Sequence, residues 1–208
     1  MRKYLKEFFF FPDIFFMCII ALVGITFIVF HITTSWIGLA WLLGLLSFAL
    51  SEYLIHRFLF HLPPPKNPFF LSLLRRLHYD HHEDPTNLKR LFVPIWYSGP
   101  LFILASGIGY LFTRDIVLTC AYTTGAICYH LHYEWKHYVA HRPIKPLTPW
   151  GRKLKKFHLL HHFKNENYWY GVTHLTGDRI MGTYRDEKEI PMSKTARKLT
   201  EARKSQIE

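Results

Sequence analysis

The chain has 208 residues, enough for a single domain, and half of them are apolar while 17% are aromatic. This composition excludes a disordered chain and is unusual for a soluble one. The net charge of +11 does not indicate nucleic-acid binding, because the Lys and Arg residues flank long apolar runs, as in membrane proteins. We therefore expect an integral membrane protein without a nucleic-acid partner.

Four apolar runs are long enough, or nearly so, to cross the ~30 Å hydrocarbon core of a bilayer as helices. The predicted spans are residues 14–30, 35–55, 94–112 and 116–133. No small-residue cleavage site follows the first run, so we expect a membrane helix there and not a cleaved signal peptide. Cys18, Cys120 and Cys128 lie inside these runs in no disulfide or metal-binding pattern, which predicts buried free thiols.

The distribution of Lys and Arg predicts how these helices are oriented. Three precede the first span, none lies between the first and second, six lie between the second and third, one lies between the third and fourth, and sixteen follow. By the positive-inside rule, both termini are cytoplasmic. The predicted fold is all-α, with four transmembrane helices and a cytoplasmic helical cap formed by residues 56–93 and 134–186.

Three segments outside the predicted spans have sequence features of their own. Prolines within residues 63–68 break the helix that follows the second span. Residues 69–77 form an amphipathic stretch that lies either in the membrane interface or packed on the cap. The tail, residues 187–208, is polar and basic, and we expect a frayed helix or a disordered end.

Ten of the fourteen histidines fall into four short clusters, all within the predicted cytoplasmic segments. They are His56 and His61 in HRFLFH, His78, His81 and His82 in HYDHH, His137 and His141 in HYVAH, and His158, His161 and His162 in HLLHH. Because the topology was assigned without them, their common side independently supports a single site. Four histidines lie outside the clusters, and we expect them to be ordinary interfacial residues: His31, His130, His132 and His174. His132 is near enough to the third cluster to extend it.

The spacing within the clusters suits metal binding. Each residue of an α-helix turns the chain by about 100°, so histidines at i, i+3 and i+4 share one face, as in HYDHH and HLLHH. His137 and His141 are four residues apart. His56 and His61 are five apart, which fits either an unwinding helix or two metals on either side of it. Ten imidazoles are too many for one metal and fit two metals with about five nitrogens each.

The ligand type narrows the metal. Imidazole suits Fe, Zn, Cu and Ni, whereas a structural zinc site normally has four ligands, often thiolates. The H-E-x-x-H motif of zinc proteases is absent from the sequence. The pattern favours a histidine-rich di-iron centre that activates O₂, although zinc can occupy the same ligands in purified protein. A metal transporter is the rival class, but its ligands should lie near mid-membrane.

Several acidic residues near the clusters are expected to hold the second nitrogen of a ligand histidine. They are Glu52, Asp80, Glu83, Glu134 and Asp178. For Asp80 and Glu83, a solvated or helix-end acid is an equal alternative. Glu52 is the strongest, because an acid at a membrane end is costly unless it is solvated or paired.

Over about residues 52–184, the chain resembles the fatty acid hydroxylase superfamily. This superfamily also contains sterol desaturases, sterol methyl oxidases and carotenoid hydroxylases. The matching stretches are EYLIHRFLFH, HYDHHEDPTNLKRLFVP, HYVAHRP and KKFHLLHHFKNENYWYGVTHLTGDRIMGTY. The GVT…D…GTY ending is most similar to fatty acid 2-hydroxylases, and within it Asp178 is expected to anchor the C-terminal segment over the site. Arg142 stands where some relatives have another histidine.

The resemblance implies that all ten clustered histidines ligate two metal ions, functionally iron, without further catalytic or cofactor-binding residues. It implies O₂-dependent hydroxylation of a lipid acyl chain, at C2, in a bacterial inner membrane or the endoplasmic reticulum. Hydroxylation or desaturation of a sterol or carotenoid is the alternative within the superfamily. The cytochrome b5 domain that some members carry is not seen, so we expect a separate electron donor: cytochrome b5, ferredoxin or a similar protein.

Overall fold

The computed structural model describes residues 1–201, and within them the chain is helical, with no β-strand. The α-helices are α1 (Arg2–Phe9), α2 (Pro12–Phe30), α3 (Trp36–Ile55), α4 (Pro68–Leu74), α5 (Asp80–Glu83), α6 (Leu88–Leu91), α7 (Ile95–Thr113), α8 (Ile116–His141), α9 (Pro149–Phe163) and α10 (Thr176–Ile180). Two π-helical turns, His56–Phe60 and Arg75–Tyr79, and a 3₁₀ turn, Leu199–Glu201, complete the elements. The all-α fold class is confirmed for these residues.

Among the described residues, three helical segments are long and apolar enough to cross a membrane: Pro12–Phe30, Trp36–Phe60 and Leu88–Thr113. They contain the first three predicted spans apart from Ser35, the first residue of the second. The fourth, residues 116–133, is helical as part of α8, but it is less apolar than the others. Many large apolar side chains, such as Leu22, Ile103 and Phe112, are exposed, as expected for a surface that meets lipid.

The described chain divides into two compact units. The first contains residues 1–50 and 93–135, and the second contains residues 51–92 with the described residues from Lys136 onward. The first therefore comprises α1, α2 and α7 with most of α3 and α8. All four histidine clusters belong to the second unit.

In the first unit, two glycines bring α3 and α8 into backbone contact. A Cβ on Gly44 would lie 1.9 Å from the carbonyl oxygen of Tyr122, and one on Gly125 would lie 2.0 Å from that of Trp41. The hydroxyl of Tyr122 donates a hydrogen bond to Oγ of Ser47 at 2.9 Å. Small residues and interhelical hydrogen bonds of this kind hold helices together where lipid provides no hydrophobic driving force.

Two carboxylates of the first unit satisfy backbone N–H groups near the start of α7. Asp13 accepts from the N–H of Ile95 at 2.9 Å, and Glu134 accepts from the N–H of Val93 at 3.0 Å. Such bonds satisfy donors that a helix leaves unpaired at its N-terminus. Glu134 is buried and lies 3.7 Å from Nε2 of His130. The first unit thus uses these polar groups to fix its own helices.

The helix break predicted from the proline-rich segment is confirmed in the second unit. The π-helical turn after α3 ends at Phe60, and α4 begins only at Pro68. Asn67 caps α4, since its side chain accepts from the N–H of Phe69 at 2.9 Å. This non-helical segment lies between the first and second histidine clusters.

The prediction of a frayed or disordered tail is wrong for residues 187–201. Ile190 packs in a core cluster with Leu154 and Trp169, and Leu199 packs in another with Leu74 and Tyr79. The three buried apolar residues of this segment, Ile190, Ala196 and Leu199, are six and three positions apart, so no periodic pattern marks them in the sequence. Residues 202–208, which the same prediction covers, lie outside the described residues.

Candidate metal centre

The ten clustered histidines converge in the second unit into two groups of five. Group 1 consists of His56, His61, His78, His82 and His161, and group 2 consists of His81, His137, His141, His158 and His162. Within each group, one nitrogen from every imidazole lies within 4.8 Å of the others. All ten are buried except the half-buried His61. Each group therefore offers five imidazole nitrogens to one point.

Each HxxHH motif is divided between the two groups. His78 and His82, four residues apart, belong to group 1, while the intervening His81 belongs to group 2. The second motif has the opposite arrangement. His158 and His162, four residues apart, belong to group 2, and His161 belongs to group 1. On a helix, i+4 lies about 40° to one side of i and i+3 about 60° to the other. A single helical face is thus wide enough to serve both groups.

The five-residue spacing of His56 and His61 is explained by a π-helical turn. The backbone from His56 to Phe60 follows the i→i+5 hydrogen-bond pattern of a π-helix, which brings residues five apart closer to one face than an α-helix does. Both side chains belong to group 1, so this local widening, and not two metals on opposite sides of the helix, accounts for the spacing. Single π-helical turns often occur at functional sites.

Distances between nitrogens fit metal coordination. Nε2 of His78 lies 2.8 Å from Nε2 of His61, 3.0 Å from that of His82 and 3.2 Å from that of His56. In group 2, the Nε2 atoms of His137 and His81 are 2.9 Å apart. Two ligands bound at right angles, each at ~2.1 Å from a metal, lie about 3.0 Å apart. The spacing is therefore that of neighbouring ligands on one ion.

Backbone carbonyl groups set the orientation of three histidines in group 1. Nδ1 of His56 donates to the carbonyl oxygen of Tyr170 at 2.6 Å, that of His82 to Ala196 at 2.7 Å, and that of His161 to Tyr168 at 2.8 Å. A carbonyl oxygen only accepts, so the proton is on Nδ1 and Nε2 presents its lone pair to the group. Three lone pairs directed at one another within 4.8 Å repel unless a cation lies between them. The donor set of group 1 therefore fits a metal ion.

The imidazoles are held in the neutral form that binds metals. Burial, assisted by the charges that neighbouring histidines would carry, lowers the pKa of group members well below the usual value: His78, His81, His158, His161 and His162. Burial also lowers the pKa of His82 and of His141 to about 3. A neutral imidazole has a free lone pair, whereas a protonated one must lose its proton before it binds a metal.

The loop after α9 is shaped around a buried residue with left-handed backbone. Trp169 has φ of 56° and is fully buried, between the two tyrosines whose carbonyl groups hold His161 and His56. Its indole N–H donates to the carbonyl oxygen of Arg185 at 3.1 Å, and its backbone N–H donates to that of Thr183. Left-handed backbone at a non-glycine residue is strained and concentrates at functional sites.

Asp178 fixes the middle of this loop. Its buried carboxylate accepts from the N–H of Tyr170 at 2.9 Å, the N–H of Gly171 at 2.8 Å and the hydroxyl of Thr183 at 2.6 Å. A Cβ on Gly171 would lie 2.0 Å from the carbonyl oxygen of His174, so only glycine fits there. Asp178 thus anchors the segment over the histidines, as expected from the sequence, but its carboxylate bonds the loop and Thr183 and not a ligand histidine.

Glu52 fixes the end of the same loop and has a different role from the one expected. Its buried carboxylate accepts from the N–H groups of Val172 and Thr173, at 2.7 and 2.8 Å, and from the hydroxyl of Thr173. It does not hold a histidine nitrogen directly. Instead it secures the loop whose carbonyl at Tyr170 orients His56, four residues further along the chain in the π-helical turn after α3.

The other acids of the sequence prediction have partners away from the groups. Asp80 forms an ion pair with Arg75 at 3.0 Å, and Glu134 is bound to Val93 in the first unit. Both groups within residues 1–201 consist of histidine alone, so Glu83 belongs to neither. The four histidines outside the clusters also belong to neither group: His31, His130, His132 and His174. His132 therefore does not extend the third cluster.

Sequence reasoning missed the carbonyl groups of Tyr168, Tyr170 and Ala196. Carbonyl groups occur at every residue, so no side-chain pattern distinguishes the three that reach a histidine. The left-handed turn at Trp169 has no glycine or asparagine to signal it. These partners become visible only once the loop and the tail are folded against α3, α5 and α9.

Comparison with known proteins agrees with this site. The model of the fatty acid hydroxylase family matches residues 41–183. The ceramide very long chain fatty acid hydroxylase scs7 of Schizosaccharomyces pombe is 34% identical over 147 residues, which cover 68% of this chain and 41% of that protein. The dihydroceramide fatty acyl 2-hydroxylase FAH2 of Arabidopsis thaliana is 32% identical over 152 residues, covering 73% and 63%.

A solved structure described as full-length scs7p, with only the hydroxylase domain visible, superposes with a TM-score of 0.70 at 27% identity. The similarity covers 84% of this chain and 65% of that one. The chain spans about two fifths of the fungal relative and less than two thirds of the plant one.

Proposed function

Since the chain belongs to the fatty acid hydroxylase family, we propose that it is a membrane-bound, O₂-dependent oxidoreductase that hydroxylates a lipid acyl chain at C2. The observation that carries the proposal is the pair of five-histidine groups, whose nitrogens are spaced for metal binding. Relatives named as a ceramide fatty acid hydroxylase and a dihydroceramide fatty acyl 2-hydroxylase support the acyl substrate and the C2 position. Hydroxylation or desaturation of a sterol or carotenoid is the alternative.

The proposed ligands are the ten histidines of groups 1 and 2, with one ion in each group and iron as the functional metal. An all-imidazole donor set suits divalent iron and also accepts zinc. When bound, the ions supply the activation of O₂ that inserts one oxygen atom into a C–H bond. The chain's own residues supply neutral nitrogens, fixed ring orientations and a buried setting that limits contact with water.

The overall reaction sets what else must reach the site. One acyl C–H bond is replaced by C–O–H, and the second oxygen atom leaves as water. This stoichiometry consumes two electrons and two protons. We propose that the electrons come from a separate donor such as cytochrome b5 or ferredoxin.

For the membrane arrangement, we propose a single hydroxylase domain whose fourth span is formed by residues 116–133 of α8, with the N- and C-termini in the cytoplasm. The placement of Lys and Arg supports this topology. With this arrangement, all ten histidines are on the cytoplasmic side. An acyl chain would enter from the bilayer while its head group stays in water.

The test is lipid mass spectrometry on a host that contains free fatty acids and sphingolipids and expresses this chain with an electron donor. The comparison variant carries His81→Ala and His161→Ala, which removes one ligand from each group. His31→Ala is the matched control, because His31 is exposed and belongs to neither group. We expect acyl species with one added oxygen at C2 in the wild type and the control, and none in the double variant.

Each other result has a defined meaning. Oxygen on a sterol or carotenoid, or a new double bond, would assign the chain to the alternative within the superfamily. Lipid profiles identical between the wild type and the double variant would contradict the hydroxylase proposal. Elemental analysis of the purified proteins tests the metal centre separately, with two ions per chain expected for the wild type.

A further inference from the structure

We propose that the C-terminal strap, residues 190–199, is a positioning part of the group 1 metal site. This inference rests on the proposed function, because it concerns how the same histidines hold their metal. The strap lies beyond the match to the family model, which ends at residue 183. Nothing in that match therefore assigns it a role.

The first observation is a direct bond from the strap to a proposed ligand. The carbonyl oxygen of Ala196 accepts from Nδ1 of His82 at 2.7 Å, and both residues are buried. This bond places the proton on Nδ1 and directs Nε2 of His82 toward Nε2 of His78, 3.0 Å away. Such outer partners of ligand histidines fix the ring and raise its affinity for the metal.

The strap is anchored on one side to the helix that carries the first HxxHH motif. Leu199 is buried against Leu74, which precedes the motif, and against Tyr79, which lies within it. Arg197 donates to the carbonyl oxygen of Glu83, the last residue of α5, at 3.2 Å. These contacts hold Ala196 next to His82.

On the other side, the strap is anchored to the residues that follow the second HxxHH motif. The N–H of Ser193 donates to the carbonyl oxygen of Lys164 at 2.7 Å, and the Asn165 side chain donates to the carbonyl oxygen of Pro191 at 3.2 Å. The hydroxyl of Thr195 donates to the buried carboxylate of Glu166. The strap therefore ties together the two helices that together supply six of the ten histidines, three from HYDHH and three from HLLHH.

The consequence is selective for one metal. The strap orients His82, a member of group 1, whereas the loop carbonyls of Tyr168 and Tyr170 orient the other two carbonyl-bound members of that group. Detaching the strap releases the ring of His82 and leaves group 2 with its five nitrogens. Loss of an outer partner typically lowers metal affinity by about 10- to 100-fold.

The experiment uses the full chain, stripped of metal and titrated with Co²⁺, whose absorption reports coordination. Leu199→Asp places a charge in the buried anchor of the strap. Lys198→Ala is the matched control, because the neighbouring Lys198 side chain is exposed and forms a solvent-exposed ion pair with Glu201. His161→Ala and His141→Ala assign the two binding phases to group 1 and group 2.

We expect the group 1 phase of Leu199→Asp to weaken roughly 10- to 100-fold while the group 2 phase and the control stay at wild-type values. The milder Leu199→Ala should show the same selectivity with a smaller shift, so the test survives if the charged variant does not fold. Unchanged binding in both Leu199 variants, or equal weakening of both phases, would overturn the inference. A wild-type chain that binds no metal would instead overturn the proposed metal centre.

Discussion

At the scale of single residues, orientation is as important as identity. Histidine supplies the nitrogens, but other groups determine where some of those nitrogens point. They are backbone carbonyl groups, the left-handed backbone conformation of Trp169 and two buried carboxylates. Asp178 and Glu52 each accept hydrogen bonds from two backbone N–H groups of the loop over the histidines. Burial of Asp178 raises its carboxyl pKa, and the hydrogen bonds from Thr183 and the loop N–H groups partly offset this rise.

The substitution Asp178→Asn tests this support. An amide has one acceptor oxygen, so its NH₂ group would face a loop N–H, and one buried donor would lose its partner. We expect a loss of roughly 1–3 kcal/mol in the free energy of unfolding, measured by denaturant titration, together with weaker metal binding to group 1. The exposed Glu189→Gln is the control. If Asp178→Asn were as stable as that control, the loop would not depend on this carboxylate.

At the scale of elements, helices are adjusted locally to bring side chains or backbones together. The π-helical turn at His56–Phe60 aligns two histidines that a regular α-helix would place about 140° apart. In the first unit, Gly44 and Gly125 allow α3 and α8 to approach until backbone meets backbone. In both cases a short local feature determines which groups a helix brings together.

The contact between α3 and α8 yields a prediction for Gly125→Ala. The new Cβ would lie 2.0 Å from the carbonyl oxygen of Trp41, a backbone atom that moves only if the helices separate. We expect destabilisation of about 1–3 kcal/mol, the usual cost of overpacking, seen as a lower melting temperature in detergent. Gly107→Ala in α7 is the control, since nothing lies within 4 Å of its added Cβ. Equal melting temperatures for the two variants would contradict close packing at Gly125.

At the scale of the whole molecule, the proposed metals would act as cross-links in the second unit. Group 1 joins histidines from residues 56 to 161, and group 2 joins histidines from residues 81 to 162. Without ions, buried lone pairs would face each other across short distances. The stability of the folded protein is therefore expected to depend on metal concentration.

Metal removal tests this dependence. Chelated protein should melt at a lower temperature, and added Zn²⁺ or Fe²⁺ should restore stability, by about 2.7 kcal/mol at a concentration one hundred times Kd. The variant with His81→Ala and His161→Ala should respond much less, because each group has lost a ligand. A wild-type melting temperature that is identical with and without metal would contradict stabilising sites in both groups.

The sequence by itself determined the all-α class, the three long apolar helices and the convergence of ten histidines, because hydropathy and helical spacing are local properties. Only the tertiary structure decided how each HxxHH motif is divided, why His56 and His61 are five residues apart, and what Glu52 holds. It also showed that residues 187–201 are packed and supply a carbonyl group to His82. These features depend on backbone groups and on residues more than a hundred positions apart, which no local pattern records.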